Sequence, residues 1–242
     1  MQVVLLAAGT GTRLRPFTEN LPKCLVDVGG RPLLDRALSS IEGAGITDVV
    51  LGTGYRDDLI ADFLGKRAGK ARVVCVKNER FDTTNNAYSL FCVRSAVRGP
   101  FILMDGDLLF ESAVLSRLLE AEGDAVLAVE KRKELGHEEM KVVLAEDGSI
   151  AEVSKEVDPK AAIGEAIGMA RFSAELGREL FSTLERQAGE GRTNVFYEKA
   201  FEELIAAGRK LRVGDVSGLR AMEIDTPEDL ERAKEMARWI SP

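Results

Sequence analysis

Several residue types are scarce in this chain of 242 residues. It contains one histidine and three cysteines, and aromatic residues make up only 6% of it. The cysteines, Cys24, Cys75 and Cys92, are odd in number and lack the spacing of metal ligands, so we expect reduced thiols and a cytoplasmic protein. The single histidine, His137, lies in a polar segment and is expected at the surface, which favours a reaction that needs no histidine.

Positive charge is not in excess. Lysine and arginine number 33 against 40 acidic residues, a formal net charge of −7. This argues against broad nucleic-acid binding, which usually shows a basic surface. No apolar run approaches the roughly 18 residues of a membrane span, and we expect no secretory leader before the first strand. The length and the 45% of hydrophobic residues are typical of one globular domain, here residues 1–242.

The most informative stretch lies near the start of the chain. An apolar strand at residues 3–6 runs into the turn Ala8-Gly9-Thr10-Gly11-Thr12, which has almost no side-chain bulk. Such a turn leaves backbone N–H groups free and lets an anion approach the main chain. The cations Arg13, Arg15 and Lys23 follow at short range. Gly-x-Gly alone is equally compatible with a solvated tight turn, but together with these cations it predicts a polyphosphate site.

Residues 5–34 resemble the signature of the sugar-phosphate nucleotidyltransferase superfamily, L-A-A-G-x-G-T-R-L-R-P-x-T followed by P-K-x-L. Within it, the chain is most similar to the small cytidylyltransferases acting on choline phosphate, aminoethylphosphonate and related phospho-compounds. The resemblance continues in order through Thr84-Asn85-Asn86-Ala87-Tyr88-Ser89-Leu90, Asp105-Gly106-Asp107, Ser154-Lys155, Gly164-Glu165-Ala166-Ile167-Gly168 and Glu223-Ile224-Asp225. It implies a nucleotide site made of Leu6, Ala7, Ala8, Gly9, Thr10, Gly11, Thr12, Arg13 and Lys23.

Strands and helical patterns alternate along the first half of the chain. Apolar strands are predicted at residues 3–6, 48–52, 72–76, 101–105 and 124–129, with helix-period segments between them. This alternation implies a mostly parallel sheet with helices on both faces. Later residues predict a hairpin at 141–154, strands at 166–172 and 210–216, and a final helix with Thr226 as N-cap and Pro227 at its first position.

We therefore expect an α/β fold: a single-domain, Rossmann-like, mostly parallel mixed sheet flanked by helices. By the resemblance it is of the nucleotide-diphospho-sugar transferase type. Within it, residues 1–130 are expected to form the nucleotide-binding sheet. Residues 131–220 are expected to form an acceptor-binding part with a β-hairpin subdomain, and residues 221–242 a metal-ligand strand and the closing helix.

Acidic residues follow two predicted strands. Residues 101–104 end in Asp105-Gly106-Asp107, which places carboxylates at the carboxyl edge of the sheet, where ligands bind in such folds. Glu223 and Asp225 have extended spacing and would project to the same side of a strand. An isolated Asp-x-Asp is more often a turn, and Asp225 could simply cap a helix. By the resemblance, however, Asp107, Glu223 and Asp225 match the family's metal ligands, here expected to hold Mg²⁺, and Asp105 belongs to the nucleotide site.

Asn86 and Ser89 lie at the start of a predicted helix. By the resemblance they contact the base of the nucleotide, and asparagine amides, which donate and accept, suit a cytosine edge. Local helix capping by Thr84 or Asn85 is the alternative explanation of this motif.

The resemblance also implies residues for the acceptor. Lys155 matches a lysine that reaches the acceptor phosphate, and Glu165 is a candidate for a polar or cationic acceptor group. Tyr197 belongs to a stretch that retains two aromatic residues of the kind that cage choline. The position near Met140 is not aromatic, which disfavours choline phosphate. An aminoalkyl phosphate or phosphonate, or a polyol or sugar 1-phosphate, remains open.

The implied activity is Mg²⁺-dependent transfer of a nucleotidyl group, most simply from CTP to a phosphorylated head group. The acceptor oxygen attacks the α-phosphorus and pyrophosphate leaves. Because that oxygen is already anionic, positioning and charge neutralisation by Arg13, Lys23 and Lys155 suffice. The alternatives are a UTP- or dTTP-dependent sugar-1-phosphate nucleotidyltransferase and a non-catalytic nucleotide-sensing paralogue. The expected partners are a nucleoside triphosphate and a small acceptor, without nucleic acid or membrane, and a homo-oligomer is left open.

Leu14 stands where a dinucleotide oxidoreductase would need a third glycine, and the Gly-Lys-Ser/Thr of a P-loop is absent.

Overall fold

The computed structural model of the protein describes residues 1–132 and 134–240. Ser241 and Pro242, the last two residues of the predicted closing segment 221–242, therefore lie outside the described residues. The strands are β1 (Gln2–Ala7), β2 (Asp48–Thr53), β3 (Arg72–Lys77), β4 (Phe101–Asp105), β5 (Leu108–Phe110), β6 (Ala125–Glu130), β7 (Lys141–Leu144), β8 (Ile150–Ser154), β9 (Gly164–Phe172), β10 (Leu211–Asp215) and β11 (Ala221–Glu223). The helices are α1 (Leu33–Gly43), α2 (Asp57–Lys66), α3 (Asn86–Val93), α4 (Ala113–Glu120), α5 (Ala174–Gly189), α6 (Glu198–Ala206) and α7 (Pro227–Met236).

The main sheet has the strand order β10-β6-β9-β4-β1-β2-β3. Its strands run parallel except β9, which is antiparallel to both β4 and β6. The fold is the expected mostly parallel α/β sheet. The hairpin β7–β8 extends this sheet, because β7 pairs with β9.

Alternate residues of β1 bury themselves on opposite faces of the sheet, as the two-residue period of a strand requires. Val4 and Leu6 pack with α3, α5 and α6, whereas Val3 and Leu5 pack with α1, α2 and α4. A strand that is buried on both faces reads as a continuous apolar run, which is why β1 stands out in the sequence.

Residues 1–130 and residues 131–220 both contribute strands to the main sheet. β9 lies between β4 and β6, and β10 pairs with β6. The N-cap residue of α3 also contacts a later segment: the Asn85 N–H donates to the Thr193 carbonyl (3.0 Å).

A second, two-stranded sheet was not predicted. β5 pairs antiparallel with β11, with Leu108 opposite Glu223. Three-residue strands are too short to show a periodic pattern. This small sheet matters for the site, because it brings the acidic residues after β4 beside those after β11. Within the described residues, no helix is both long and apolar enough to cross a membrane.

Candidate active site

A cleft of about 830 Å³ opens at the carboxyl edge of β1 and β4. The candidate site residues named from the sequence line it, except Thr10, Arg15 and Tyr197: Leu6, Ala7, Ala8, Gly9, Gly11, Thr12, Arg13, Lys23, Asn86, Ser89, Asp105, Asp107, Lys155, Glu165, Glu223 and Asp225. Residues that are about 220 positions apart in sequence therefore share one cavity.

The turn after β1 forms the floor of the cleft. Gly11 is left-handed, with φ +61°, and a Cβ there would lie 3.1 Å from Thr18 and 3.3 Å from Lys23, so only glycine fits without strain. Gly9 has no such constraint, because a Cβ at this position would meet no atom within 4 Å. Packing within the protein therefore does not require the absence of a side chain at Gly9, and this absence leaves the backbone open to the cleft.

A cluster of opposite charges lies next to this turn. The Lys23 ammonium donates to Asp107 Oδ2 (2.7 Å) and to Asp225 Oδ1 (2.6 Å), and Arg13 pairs with Asp225 Oδ2 (2.9 Å). Burial acts to lower the pKa of Lys23, but the charges of Asp107 and Asp225 outweigh it and the pKa is raised. Lys23 is therefore held as a cation between two carboxylates.

The small sheet sets the positions of these carboxylates. The Ile224 N–H donates to the Asp107 carbonyl (3.1 Å), which continues the β5–β11 pairing and brings Asp225 beside Asp107. Glu223 opens onto the cleft, and its enclosure by the cleft walls together with the charges of Asp107 and Asp225 raises its pKa to about 7. This end of the cleft is a site where added positive charge would be stabilising.

The described residues include no three histidine, cysteine or acidic side chains that are grouped closely enough to hold a metal ion as they stand. The Lys23 ammonium occupies the space between two of the three predicted ligands. Their chemistry nevertheless suits a hard cation, because all the donors are carboxylate oxygens. In addition, Asp107 Oδ1 is buried without a hydrogen-bond partner among the described residues.

Tyr197 is not where the sequence placed it. We expected it to contact the acceptor, but its side chain is 2% exposed and lies outside the cleft lining. Its hydroxyl donates to Asp105 Oδ2 (2.8 Å), because a buried tyrosine hydroxyl needs a partner. Burial and the charge of Asp107 raise the pKa of Asp105 well above its usual range, and the Tyr197 hydroxyl partly opposes this. Of the two aromatic residues in this stretch, Phe196 is the one that lines the cleft.

Asn86 and Ser89 lie together on α3 and line the cleft. Asn86 Oδ1 accepts from the Tyr197 backbone N–H (2.9 Å), and Ser89 Oγ accepts from Asn78 Nδ2 (3.0 Å). Asn85 is the helix N-cap and its side chain accepts from the Asn86 N–H, so capping and a ligand contact by Asn86 are compatible rather than alternatives.

Lys155 and several acidic residues also line the cleft. Lys155 Nζ lies 5.2 Å from the centre of the Phe196 ring and 3.4 Å from Glu138 Oε2. Glu165 is already paired with Arg132. The other acidic residues of the lining here are Glu130, Glu138, Glu139 and Glu198.

Glu198 was missed at the level of sequence. It is only 7% exposed, and its Oε2 has no hydrogen-bond partner among the described residues. Burial raises its pKa to about 7, although the charge of Lys155 acts in the opposite direction. A glutamate at the start of a helix is ordinary in sequence, so no pattern distinguishes this one; only its burial does.

Comparison with known proteins agrees with this geometry. Residues 3–204 match the model of the MobA-like NTP transferase domain. The chain is 32% identical to the CMP-5'-(3-aminopropyl)phosphonate synthase of Streptomyces rubellomurinus (strain ATCC 31215), over 96% of this chain but only 38% of that protein's length. It is 26% identical to the choline-phosphate cytidylyltransferase of Streptococcus pneumoniae (strain ATCC BAA-255 / R6), over 98% of this chain and 99% of that one.

A relative with another nucleotide also matches. The UTP–glucose-1-phosphate uridylyltransferase AglF of Haloferax volcanii is 28% identical over 97% of this chain and 96% of its own. Among solved structures, the inositol-1-phosphate CTP transferase from T. maritima superposes with a TM-score of 0.80 at 24% identity, covering 100% of this chain and 98% of that one. This likeness supports the fold. The family match, which covers most of the chain and includes the turn after β1, shows that the chain belongs to the MobA-like NTP transferase family.

Proposed function

We propose that this protein transfers a cytidylyl group from CTP to a small phosphorylated acceptor that also carries a positive charge. The observation that carries the proposal is the distribution of charge along one cleft. Arg13 and Lys23 lie beside a bare glycine turn, and the same cleft also contains Lys155 and the buried carboxylate of Glu198, whose Oε2 has no partner among the described residues. An acceptor with one anionic and one cationic group would match Lys155 and Glu198.

The triphosphate would bind over the turn after β1. Gly9 leaves room for close approach to the main chain, and Arg13 and Lys23 supply positive charge. Both cations now pair with Asp225, and a bound triphosphate would compete for them. They would then stabilise the pyrophosphate as it leaves.

Asp107, Glu223 and Asp225 would hold Mg²⁺. When bound, the ion would neutralise phosphate charge and polarise the reacting phosphoryl group. The chain's own contribution is a set of carboxylates that repel one another, with Asp107 Oδ1 unpartnered. Asp105 accepts a hydrogen bond from the Tyr197 hydroxyl. Gly168 leaves room for this carboxylate, because a Cβ at that position would lie 2.6 Å from Asp105 Oδ2.

The acceptor would bind with its phosphate or phosphonate against Lys155. A cationic group on the same molecule would lie near Glu198, which supplies negative charge, and near the Phe196 ring, which supplies a π face. Glu165 is less suited to this role than the sequence suggested, because Arg132 already neutralises it. The attacking oxygen is anionic at neutral pH, so no general base is needed; His137 is exposed and does not line the cleft.

The test is pyrophosphate release with purified protein and Mg²⁺. CTP, UTP, dTTP, ATP and GTP would each be tried with phosphocholine, phosphoethanolamine, 2-aminoethylphosphonate, inositol 1-phosphate and hexose 1-phosphates. We expect turnover with CTP and an acceptor that bears an amine or quaternary ammonium. EDTA should abolish it.

The second candidate is uridylyl or thymidylyl transfer to a sugar 1-phosphate, which the similarity to the Haloferax enzyme favours. Turnover with UTP or dTTP and an uncharged sugar phosphate would establish it and would contradict the assignment of Glu198 to a cationic group. Nucleotide binding without turnover across the panel would instead support a nucleotide-sensing protein.

A further inference from the structure

Protein contacts orient two polar side chains that line the cleft, Asn86 and Ser89. We propose that Asn78 and the Tyr197 backbone leave the Ser89 hydroxyl hydrogen and the Asn86 amide hydrogens free to donate to the base, and that these donors favour cytosine over uracil and thymine. The proposal rests on the proposed function, and on the expectation from the resemblance that Asn86 and Ser89 contact the base.

Asn78 is the first part of this device. It follows β3 directly, is 1% exposed and is fixed on both sides of its amide. Its Oδ1 accepts from the Arg80 N–H (2.9 Å). Because a backbone N–H can only donate, this contact settles which end of the amide is oxygen.

The Asn78 Nδ2 group must therefore donate. Its partners are Thr84 Oγ1 (2.9 Å) and Ser89 Oγ (3.0 Å). The Thr84 hydroxyl in turn donates to the Arg80 carbonyl (2.7 Å), so its hydrogen is used. The Ser89 hydroxyl accepts from Asn78 and finds no acceptor for its own hydrogen among the described residues. Since Ser89 lines the cleft, that hydrogen is available to a ligand.

Asn86 is fixed in the same way from another direction. Its Oδ1 accepts from the Tyr197 N–H (2.9 Å), which again identifies the oxygen. The Nδ2 group then points away from that contact, with no protein acceptor among the described residues, and Asn86 also lines the cleft. Asn86 and Ser89 are three positions apart on α3 and so lie on one helix face.

Two neighbouring donors discriminate between pyrimidines. Cytosine presents two adjacent acceptors, O2 and unprotonated N3, whereas uracil and thymine carry a hydrogen on N3. A donor placed at N3 would bond to cytosine but would oppose the N3–H of uracil. A site with buried polar groups strongly rejects an analogue that leaves them unpaired, and one such mismatch reduces affinity by about 10- to 100-fold.

The experiment measures nucleotide binding, which does not depend on the identity of the acceptor. CTP and UTP would be titrated by calorimetry into the whole protein with Mg²⁺. We expect wild type to bind CTP about 10-fold or more tightly than UTP. In Asn78→Asp, a carboxylate can only accept, so it draws the Ser89 hydrogen to itself and leaves Ser89 to present a lone pair to the base. The preference for CTP should then shrink or reverse, with UTP binding improved.

Asn194→Asp is the matched control. Asn194 is exposed and does not line the cleft, and it lies between Thr193 and Val195, whose carbonyls accept from the Asn85 and Ala87 N–H groups. The substitution Asn194→Asp introduces the same charge but should leave the ratio of CTP affinity to UTP affinity unchanged. If Asn78→Asp does not fold, Ser89→Ala replaces it; this variant should lose affinity for CTP and little for UTP.

Each other outcome is informative. Equal loss of CTP and UTP affinity in Asn78→Asp would make Asn78 merely structural and overturn the inference, as would a wild-type preference for UTP. A wild type that prefers CTP but never releases pyrophosphate would keep the inference and remove the proposed function. A wild type that binds neither nucleotide would overturn both.

Discussion

Replacing Glu198 by glutamine is expected to remove a loss of stability that wild type suffers as pH rises, and to weaken the binding of a cationic acceptor. The Glu198 carboxyl is buried, its Oε2 has no partner among the described residues, and its pKa is raised to about 7 from a usual 4.5. The folded protein therefore binds this proton more tightly than the unfolded chain does. Stability contributed by the protonated carboxyl is complete below about pH 4.5 and is lost as pH rises toward 7 and beyond.

The magnitude follows from the two pKa values. Between pH 5 and pH 8, wild type should lose about 2.5 kcal/mol of unfolding free energy that a non-titrating side chain would not lose. The glutamine amide does not titrate, so the free-energy cost of burying it is the same at every pH, and the quantity to compare is the change in stability with pH. For a protein of this size, the melting temperature of Glu198→Gln relative to wild type should rise by roughly 5–10 °C from pH 5 to pH 8.

Thermal unfolding at several pH values, in EDTA and without nucleotide, measures this directly. Glu185→Gln is the control: its side chain is 66% exposed and lies 3.8 Å from Arg94, and its curve should run parallel to that of wild type. Parallel curves for Glu198→Gln and wild type would refute the argument that burial holds the Glu198 proton. At pH 8 the same variant should raise the KM for an amine-bearing acceptor about 10-fold, with kcat less affected.

Three further outcomes are expected. Gly9→Ala should melt within about 1 °C of wild type, because its Cβ meets no protein atom, yet it should bind nucleotide less tightly in a calorimetric titration; unchanged affinity would mean that the ligand does not approach this turn. Lys23→Ala removes the ammonium between Asp107 and Asp225 and should reduce pyrophosphate release by about 10²–10⁴-fold at saturating nucleotide, so near-normal turnover would exclude a catalytic role. Thr226→Ala removes the reciprocal cap of α7 and should cost about 1 kcal/mol, or about 2–4 °C in melting temperature.

The fold could be predicted from sequence wherever burial imposes a period. β4 has the predicted bounds, and α7 begins as expected, with Thr226 as N-cap and Pro227 in the first turn. β11 lies where the metal-ligand strand was expected, but β5 and its pairing with β11 were not predicted, because three residues do not establish a period. Their pairing is a long-range event that depends on the rest of the sheet being formed, and it is what brings Asp107 beside Asp225.

The candidate site could be predicted where the backbone conformation restricts which residue fits. Gly11 must be glycine because of its positive φ and the contacts of Thr18 and Lys23, so the turn after β1 can be recognised in the sequence. The contribution of Glu198 is different. Its role depends on burial without a partner, a property of the assembled cleft that an isolated glutamate in a sequence does not show.

Tyr197 and Phe196 show where residue type is insufficient. Either aromatic ring could have faced an acceptor, and their order along the chain does not decide between them. The Tyr197 hydroxyl decides which ring is buried, because a buried hydroxyl needs a hydrogen-bond partner. Asp105 at the end of β4 accepts from it, so Tyr197 points inward and Phe196 remains in the cleft. The Tyr197 N–H meanwhile fixes Asn86. One residue outside the cleft lining thus orients two residues that line it, Asp105 and Asn86. Under the proposed function, Tyr197 would therefore act through these neighbours rather than by touching a substrate.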